Sequence, residues 1–260
     1  MKTAAIIGSG KLATQLAPAL QQSGLLHFKY VYSRSLKNAA LLANTLEADY
    51  GCKAGDIPLG LDYYFLCLTD DANKSFLTQI PHLSGEAFIL CSGSLPLSIF
   101  KDFTPKKGIF YPIQSFSKVK KARFKEIPIG LYSETTSIME DLENWAKRLQ
   151  TFLFFPLKPE KRLPLHIAAV FACNFANYMW VLAEKIMNEE GMDSAILQPL
   201  MQETLNNAMN MGATNSITGP AVRGDQTTIQ KHLTYLQSEE RKELYRKISE
   251  GINPKLKGNH

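Results

Sequence analysis

Several features are scarce in this 260-residue chain, and each absence narrows the function classes open to it. Its four cysteines are widely spaced without a C-x-x-C pair, which favours neither a zinc site nor a disulfide framework. The net charge is only +5, and the basic cluster at 118–125 lacks interleaved aromatic residues in a stacking pattern, which argues against nucleic-acid binding. No uninterrupted apolar segment suggests a membrane span, and the first residues lack a signal-peptide pattern. We therefore expect a cytoplasmic protein with no metal, nucleic-acid or membrane partner.

The first fourteen residues have the pattern of a strand, a glycine turn and a helix. An apolar run at 3–7 is typical of a strand covered on both faces. It leads into a G-x-G-x-x-[G/A] motif, in which Gly8 permits the tight turn, Gly10 lets the backbone approach a pyrophosphate, and Ala13 lets the helix pack on the strand. The amides at the helix start would face the diphosphate. The motif predicts dinucleotide binding through Gly8, Ser9, Gly10, Lys11, Leu12 and Ala13; the alternative is a glycine turn in an ordinary β-α unit.

The remaining pattern divides the chain in two. Up to residue 157, short apolar runs alternate with amphipathic segments, which indicates a doubly wound parallel sheet. The predicted strands are 3–7, 28–32, 52–54, 63–68, 87–91, 108–111, 129–132 and 152–155, with helices at 11–22, 36–46, 72–79 and 136–149. Beyond residue 158 only helices are predicted, at 166–188, 194–211, 225–236 and 239–252. The predicted fold class is α/β, with an N-terminal Rossmann domain (1–157) and an all-α domain (158–260).

The end of the second strand favours NADP over NAD. NAD-specific Rossmann folds place an acidic residue there to bind the adenosine ribose. Here the residues are Ser33, Arg34 and Ser35, with Lys37 nearby. A guanidinium and hydroxyl groups suit a 2′-phosphate, because arginine forms forked, charge-assisted hydrogen bonds with phosphate. The alternative is that Arg34 is only a loop cation.

Polar residues also follow the predicted central strands, where open α/β sheets bind ligands. We expect five of them to line the cofactor cleft: Thr69, Asp70, Ser92, Gly93 and Ser94. Gln114 and Ser115 follow another strand and could reach the nicotinamide.

Two sets of residues in the second half are candidates for catalysis. His166, Asn174 and Asn177 form a polar edge on an apolar helix, since eleven residues return Asn177 to nearly the face of His166. In the loop at 218–225 and the helix after it, Arg223 could bind a substrate anion, while Asp225 and His232 share a helix face with Thr228. We predict His166 or His232 as the proton donor. The structural alternatives are helix capping by His166 and Asp225, hydrogen bonds that satisfy the polar side chains of the two asparagines, and an interdomain ion pair for Arg223.

Three segments, at 111–117, 166–177 and 218–225, together with the glycine turn, resemble a little-characterised branch of a dehydrogenase superfamily. The branch pairs a Rossmann-like domain with a helical domain of unknown function. The superfamily contains pyrroline-carboxylate reductase, phosphogluconate dehydrogenase and deazaflavin-dependent NADP oxidoreductases. The resemblance implies an NADP-dependent oxidoreductase that is dimeric through the helical domain.

Two departures from that pattern limit which catalytic residues can be inferred from the related dehydrogenases. Relatives in the branch carry histidine where this chain has Tyr111, and the lysine that several dehydrogenases place four residues before an asparagine is Val170 here. We therefore expect an NADP-dependent oxidoreductase whose small anionic substrate lies between the domains. Two alternatives are a non-catalytic NADP-binding sensor and an imine reductase resembling pyrroline-carboxylate reductase.

Overall fold

The computed structural model describes residues 1–117 and 119–258, apart from the side chain of Lys74. Lys118, part of the predicted basic cluster, lies outside the described residues. The chain divides into two compact units, Met1–Tyr178 and Met179–His260. The first holds the sheet and the second is helical, as the sequence predicts.

An eight-stranded sheet organises the first unit, in the order β3-β2-β1-β4-β5-β6-β7-β8. Its strands are β1 (Lys2–Ile7), β2 (Leu26–Tyr32), β3 (Asp49–Gly51), β4 (Tyr63–Leu66), β5 (Phe88–Leu90), β6 (Lys107–Pro112), β7 (Ile129–Ser133) and β8 (Phe154–Pro156). All neighbours pair in parallel except β6 and β7. The predicted doubly wound parallel sheet is confirmed, with a departure at this edge, where β7 and β8 run opposite to the other strands. In the described residues of the β6–β7 connection, 113–117 and 119–128, there is a 3₁₀ turn, Phe124–Glu126, but no α-helix, which is the usual element of a parallel crossover.

Helices cover both faces of the sheet. They are α1 (Ala13–Gln22), α2 (Leu36–Leu46), α3 (Asp70–Leu77), α4 (Thr136–Arg148) and α5 (Pro159–Ala169). Alternate residues of β1 enter opposite cores: Ile6 packs in the cluster that contains Trp145, whereas Ile7 packs in the cluster that contains Tyr64 and Phe88. All five side chains are at most 2% exposed. This two-sided burial explains why the strand sequences are continuous apolar runs rather than alternating ones.

The long helix of the chain begins earlier than predicted. It starts at Pro159, a residue favoured in the first turn because its missing N–H has no helical partner there. It continues through a π-helical turn, Val170–Phe175, into α6 (Ala176–Glu189), so that Pro159–Glu189 is one 31-residue helix. The first compact unit ends within this helix rather than at residue 157. The reason is that Leu165 of α5 packs against the sheet core.

The second unit contains the rest of the helices. They are α7 (Gln198–Met211), α8 (Ala213–Ser216), α9 (Pro220–Arg223), α10 (Gln226–Tyr235) and α11 (Glu239–Ile252). A 3₁₀ turn, Ser194–Leu197, precedes α7, and Pro199 lies at the start of α7, as predicted from its effect on helices. Its described buried core is small: Ala221, Ile229, Leu233 and Leu256.

The long helix is also the most apolar exposed element. By length and composition it could cross a membrane, although a single helix of this kind is weak evidence for a span. The expectation from the sequence concerned uninterrupted apolar runs, which this measure of the helix does not test. Its mean hydropathy reaches 1.4 over an eighteen-residue window, because asparagine and tyrosine interrupt the apolar run without adding charge. Phe171 and Phe175 are 65% and 50% exposed, so the helix leaves an uncovered apolar face on the single chain.

Candidate functional site

The glycine turn after β1 has the geometry of a phosphate cradle. Gly8 has a φ of +115°, and a Cβ added there would lie 2.6 Å from the carbonyl oxygen of Cys67, so the chain needs glycine at this point. A Cβ added at Gly10 would meet nothing within 4 Å. The start of α1 has no side-chain cap, because its N-cap residue is Leu12. Open space beside Gly10 and uncapped amides together fit a pyrophosphate.

The hydroxyl of Ser9 ties this turn to the end of β2. It donates a 2.7 Å hydrogen bond to Ser33 Oγ, and both residues are buried. Ser35 Oγ caps α2 by accepting from Asn38 N. Arg34 is exposed and has no ion pair with any residue that the structure describes. Ser33 and Ser35, two of the three predicted phosphate ligands, therefore already make hydrogen bonds within the protein. The guanidinium of Arg34 forms no ion pair with the described residues and can donate to a phosphate. Lys11 is also exposed beside the turn.

The polar residues after β4 and β5 form one hydrogen-bonded cluster. Ser92 Oγ donates to Asp70 Oδ1 at 2.6 Å, and the Ser94 hydroxyl donates to the other oxygen of the same carboxylate. Ser92 Oγ also accepts from the backbone N–H of Leu95 at 3.1 Å. Thr69 is exposed and makes no side-chain cap at the start of α3. Asp70, Ser92 and Ser94 thus meet at the carboxyl edge of the sheet, where the sequence predicts a ligand.

Beside this cluster, Tyr111 and His166 contact each other. Tyr111 Oη lies 3.1 Å from His166 Nδ1, which joins the end of β6 to α5. A Cβ at Gly93 would lie 2.5 Å from His166 Nδ1 and 2.7 Å from Tyr111 Oη, so glycine makes room for the pair. The predicted capping alternative for His166 was wrong, since the helix begins seven residues before it. Burial raises the pKa of Tyr111, and the positive charge of Arg162 opposes that rise.

Sequence reasoning missed Arg162. Its side chain is 1% exposed, and its Nε and Nη1 are buried without a hydrogen-bond partner among the described residues. Burial lowers its pKa, while Asp70, Tyr111 and Cys91 favour its charged form. The available signal was its position four residues before His166, which places both on one helix face. That signal requires a helix that starts at Pro159, and the predicted start was His166.

Asn174 and Asn177 do not form the predicted polar edge of the long helix together with His166. Asn174 and Asn177 are both exposed. The prediction assumed a constant helical phase, but the π-helical turn inserts an extra residue between His166 and Asn177. One residue is about a quarter of a turn, so Asn177 leaves the face of His166. Their role in catalysis stays a prediction.

In the second unit, Asp225 caps a helix. Its carboxylate accepts hydrogen bonds from Thr228 N at 3.0 Å and Thr228 Oγ1 at 2.8 Å. The backbone hydrogen bond is the main reason why the pKa of Asp225 lies below its ordinary value. Arg223 is exposed at the end of α9 and has no ion pair with the described residues. Asp225 is therefore a helix cap, as the structural alternative predicts, whereas the interdomain ion pair of Arg223 stays a prediction.

His232 is paired with Tyr245 rather than with the other predicted catalytic residues. Its Nδ1 lies 2.8 Å from Tyr245 Oη. Both line an apolar cavity of about 370 Å³ within the second unit, together with Met179, Leu182, Ile186 and Leu244. The structure thus places His166 and His232 in different units, each with a tyrosine partner.

Comparison with known proteins identifies the family of this chain. Residues 127–252 match a domain of unknown function, DUF2520, whose start lies in the sheet unit rather than in the helices. No curated protein matches the sequence. A candidate NADP oxidoreductase from Bacteroides fragilis, BF3122, is 32% identical, with a TM-score of 0.90 over 97% of this chain and 98% of its own.

More distant structures share the fold alone. An imine reductase variant from Myxococcus stipitatus, solved with NAD⁺, is 14% identical, with a TM-score of 0.64 over 100% of this chain and 95% of its own. A pyrroline-5-carboxylate reductase from Coxiella burnetii is 14% identical, with a TM-score of 0.57 over 98% and 97%. These matches confirm the predicted fold. The chain belongs to the Rossmann-like oxidoreductase family that carries the DUF2520 domain at its C-terminal end.

Proposed function

We propose that this protein is an NADP-dependent oxidoreductase that acts on a small anionic substrate. The observation that carries the proposal is the glycine turn: Gly10 faces open space, and the helix after it begins without a side-chain cap. Thr14 N and Gln15 N already donate to Gly10 O and Leu12 O, but the described structure gives no partner for the backbone N–H groups of residues 10–13, and a diphosphate would accept from these. The family relative described as a candidate NADP oxidoreductase supports the same cofactor.

Arg34 would select the phosphorylated form of the dinucleotide. It is exposed directly after Ser33, at the end of β2, and no carboxylate stands in residues 31–35 to bind an unmodified ribose. A guanidinium forms paired, charge-assisted hydrogen bonds with phosphate. The anionic substrate is inferred from Arg223, whose exposed guanidinium has no ion pair with the described residues.

When bound, the dinucleotide supplies a hydride, and the protein must then supply a proton. Tyr111 Oη is the donor that the geometry favours, held by His166 Nδ1 at 3.1 Å. The carbon of a C=N or C=O bond gains the hydride, its heteroatom gains the π electron pair, and that heteroatom takes the proton from Tyr111. The resulting phenolate then regains a proton from solvent, and His166 Nδ1, which lies 3.1 Å from the phenolic oxygen, can relay that proton.

Cofactor binding tests the proposal through two matched glycines. Gly10→Ala places a methyl group where the pyrophosphate would lie, while Gly55→Ala adds one at another glycine whose Cβ meets nothing within 4 Å. Calorimetry should detect NADPH binding to the wild type and to Gly55→Ala, with at least tenfold weaker binding to Gly10→Ala. Equal affinity in all three, or no binding to the wild type, would contradict the proposal.

Turnover separates an enzyme from a sensor. NADPH oxidation is measured with two pairs of compounds. One pair is a carboxylate-bearing cyclic imine and a neutral cyclic imine, and the other is a keto acid and the corresponding neutral ketone. An oxidoreductase should consume NADPH with at least one of them, and an anionic site should favour the carboxylate-bearing member. NADPH binding with no oxidation across the panel would favour the sensor.

We also propose that a second copy of the chain covers the long helix. Phe171, Phe175 and Tyr178 are 65%, 50% and 43% exposed within two turns of it. Contiguous apolar surface of this kind is typical of an interface. A second copy is favoured because a homodimer buries the same patch twice and needs no other partner.

Light scattering after size-exclusion chromatography tests the dimer. Phe171→Glu places a charge in the exposed patch and should give a monomer. Phe152→Glu is the matched control, since Phe152 is 67% exposed but lies before β8, and it should leave the dimer intact. A wild-type monomer at micromolar concentration, or partition of the wild type into detergent micelles, would contradict the proposal.

A further inference from the structure

Arg162 is a buried charged side chain, and two of its nitrogen atoms lack a hydrogen-bond partner among the described residues. These atoms are Nε and Nη1, and only 1% of the residue is exposed. Guanidinium groups stay protonated in proteins, so the site holds a positive charge. A buried charge that lacks hydrogen bonds is strongly unfavourable unless another interaction or a functional state offsets it.

The surroundings of Arg162 identify what could offset that charge. His166 follows it by one helical turn on the same face of α5, and His166 Nδ1 contacts Tyr111 Oη. Asp70, Tyr111 and Cys91 are the groups whose charges act on Arg162. The carboxylate of Asp70 already accepts two serine hydroxyls and forms no ion pair with Arg162 within the described chain. Tyr111 is the remaining oxygen acid of the group.

We propose that Arg162 is a positioning residue that stabilises the phenolate of Tyr111 after its proton has passed to the substrate. This role rests on the proposed function, in which Tyr111 is the proton donor. With the phenol protonated, Asp70 is the main group that favours the charged form of the buried guanidinium. With the phenolate present, the two opposite charges attract each other in a region that solvent screens poorly. The cost of burying Arg162 is thereby offset in the state that follows proton transfer.

The direction of the pKa shifts agrees with this geometry. Burial is the main cause that raises the pKa of Tyr111, and Arg162 is the group that lowers it. The other titratable groups near the pair are His166 on α5, Asp70 at the start of α3, and Cys91 after β5. The hydrogen bond with Cys67, together with burial, keeps the pKa of the Cys91 thiol well above its ordinary value, so Cys91 adds no negative charge at neutral pH. Arg162 therefore supplies the permanent positive charge of the group.

A titration at position 111 tests the role without cofactor or substrate. A fluorinated tyrosine, whose phenol ionises at lower pH than tyrosine, replaces Tyr111 in the full chain, and ¹⁹F NMR follows its ionisation. Arg162→Met should raise the midpoint by at least about one pH unit, a tenfold fall in the acid dissociation constant. Arg162→Lys should restore most of the difference, because it keeps a charge. Lys161→Met is the matched control, since it removes an exposed charge from the next residue of α5 and should shift the midpoint much less.

Circular dichroism checks that each variant is folded, and Arg162→Gln replaces Arg162→Met if the methionine variant is not. A midpoint that is unchanged in the folded neutral variant would overturn the role of Arg162. The same result in a protein that binds NADPH normally would leave the proposed function standing. A raised midpoint in a protein that binds no NADPH would instead overturn the proposed function and retain the coupling between the two side chains.

Discussion

Tyr111 Oη and His166 Nδ1 lie 3.1 Å apart, although the two residues are 55 positions apart in the chain. Each comes from an element whose backbone is fixed independently: Tyr111 from β6, in the middle of the sheet, and His166 from the second turn of α5. Gly93 allows the contact, because any larger residue there would occupy the space of both groups. A donor held between a strand and a helix keeps its direction without substrate, which favours proton transfer at a fixed point.

Replacing Tyr111 by phenylalanine removes the hydroxyl and keeps the ring. We expect Tyr111→Phe to lower kcat by about 10²- to 10⁴-fold, the range for loss of a positioned acid, with NADPH affinity unchanged. Tyr132→Phe is the control, since Tyr132 lies on neighbouring β7 and its hydroxyl contacts only exposed Glu134. Steady-state kinetics and calorimetry measure the two quantities. A kcat within twofold of the wild type would exclude Tyr111 as the donor.

Arg34→Ala should weaken the binding of NADPH but not that of NADH. Loss of charge-assisted hydrogen bonds to a 2′-phosphate costs about 1.5–3 kcal/mol, so NADPH affinity should fall about 10- to 100-fold. NADH lacks that phosphate, and its affinity should not change. Lys29→Ala serves as the control, because Lys29 is an exposed cation in the middle of the same strand. Equal losses for both dinucleotides would mean that Arg34 supports the fold rather than the phosphate.

Gly8→Ala should act on stability rather than on cofactor binding alone. The alanine would have to adopt a φ of +115° with its Cβ 2.6 Å from a backbone oxygen of Cys67, which cannot move without disturbing β4. Strain of this kind costs about 1–3 kcal/mol before any clash is counted. Urea unfolding should show the loss, whereas Gly55→Ala should stay within about 0.5 kcal/mol of the wild type. An unchanged midpoint for Gly8→Ala would show that the turn adjusts.

The sequence predicted the parts of the molecule that local physics determines. The turn at Gly8 and Gly10, the buried strands and the helix at Glu239–Ile252 follow from glycine conformation and from apolar periodicity. The β6–β7 reversal was not predicted, since strand direction depends on the connection rather than on the strand itself. The third strand was placed at 52–54 rather than Asp49–Gly51, because three residues carry almost no periodic signal.

Side-chain groups that combine distant elements were harder to predict. Asp70, Ser92 and Ser94 could be expected together, because the carboxyl ends of adjacent parallel strands meet. The contact between Tyr111 and His166 required knowledge of how α5 crosses the sheet edge. Arg162 was missed because two prolines, Pro159 and Pro164, concealed the helix start, and an arginine in a polar segment is usually exposed.

Asp225 distinguishes helix capping from catalysis. As a cap, it needs only an acceptor for Thr228 N, which asparagine also provides. We therefore expect Asp225→Asn to keep the melting temperature and turnover of the wild type at neutral pH, whereas Asp225→Ala should lower the melting temperature.

The hydrogen bonds from Thr228 lower the pKa of Asp225 in the folded state. The contribution of the carboxylate to stability is therefore present above the ordinary carboxyl range and is lost as pH falls through the lowered value. Asp225→Asn should consequently lose less stability than the wild type below about pH 4. Thermal unfolding across pH 2–7 tests the predicted pH dependence of stability, and turnover measured at pH 7 tests whether catalysis needs the carboxylate. A variant Asp225→Asn that melts like the wild type but has lost its turnover would assign the carboxylate to catalysis instead.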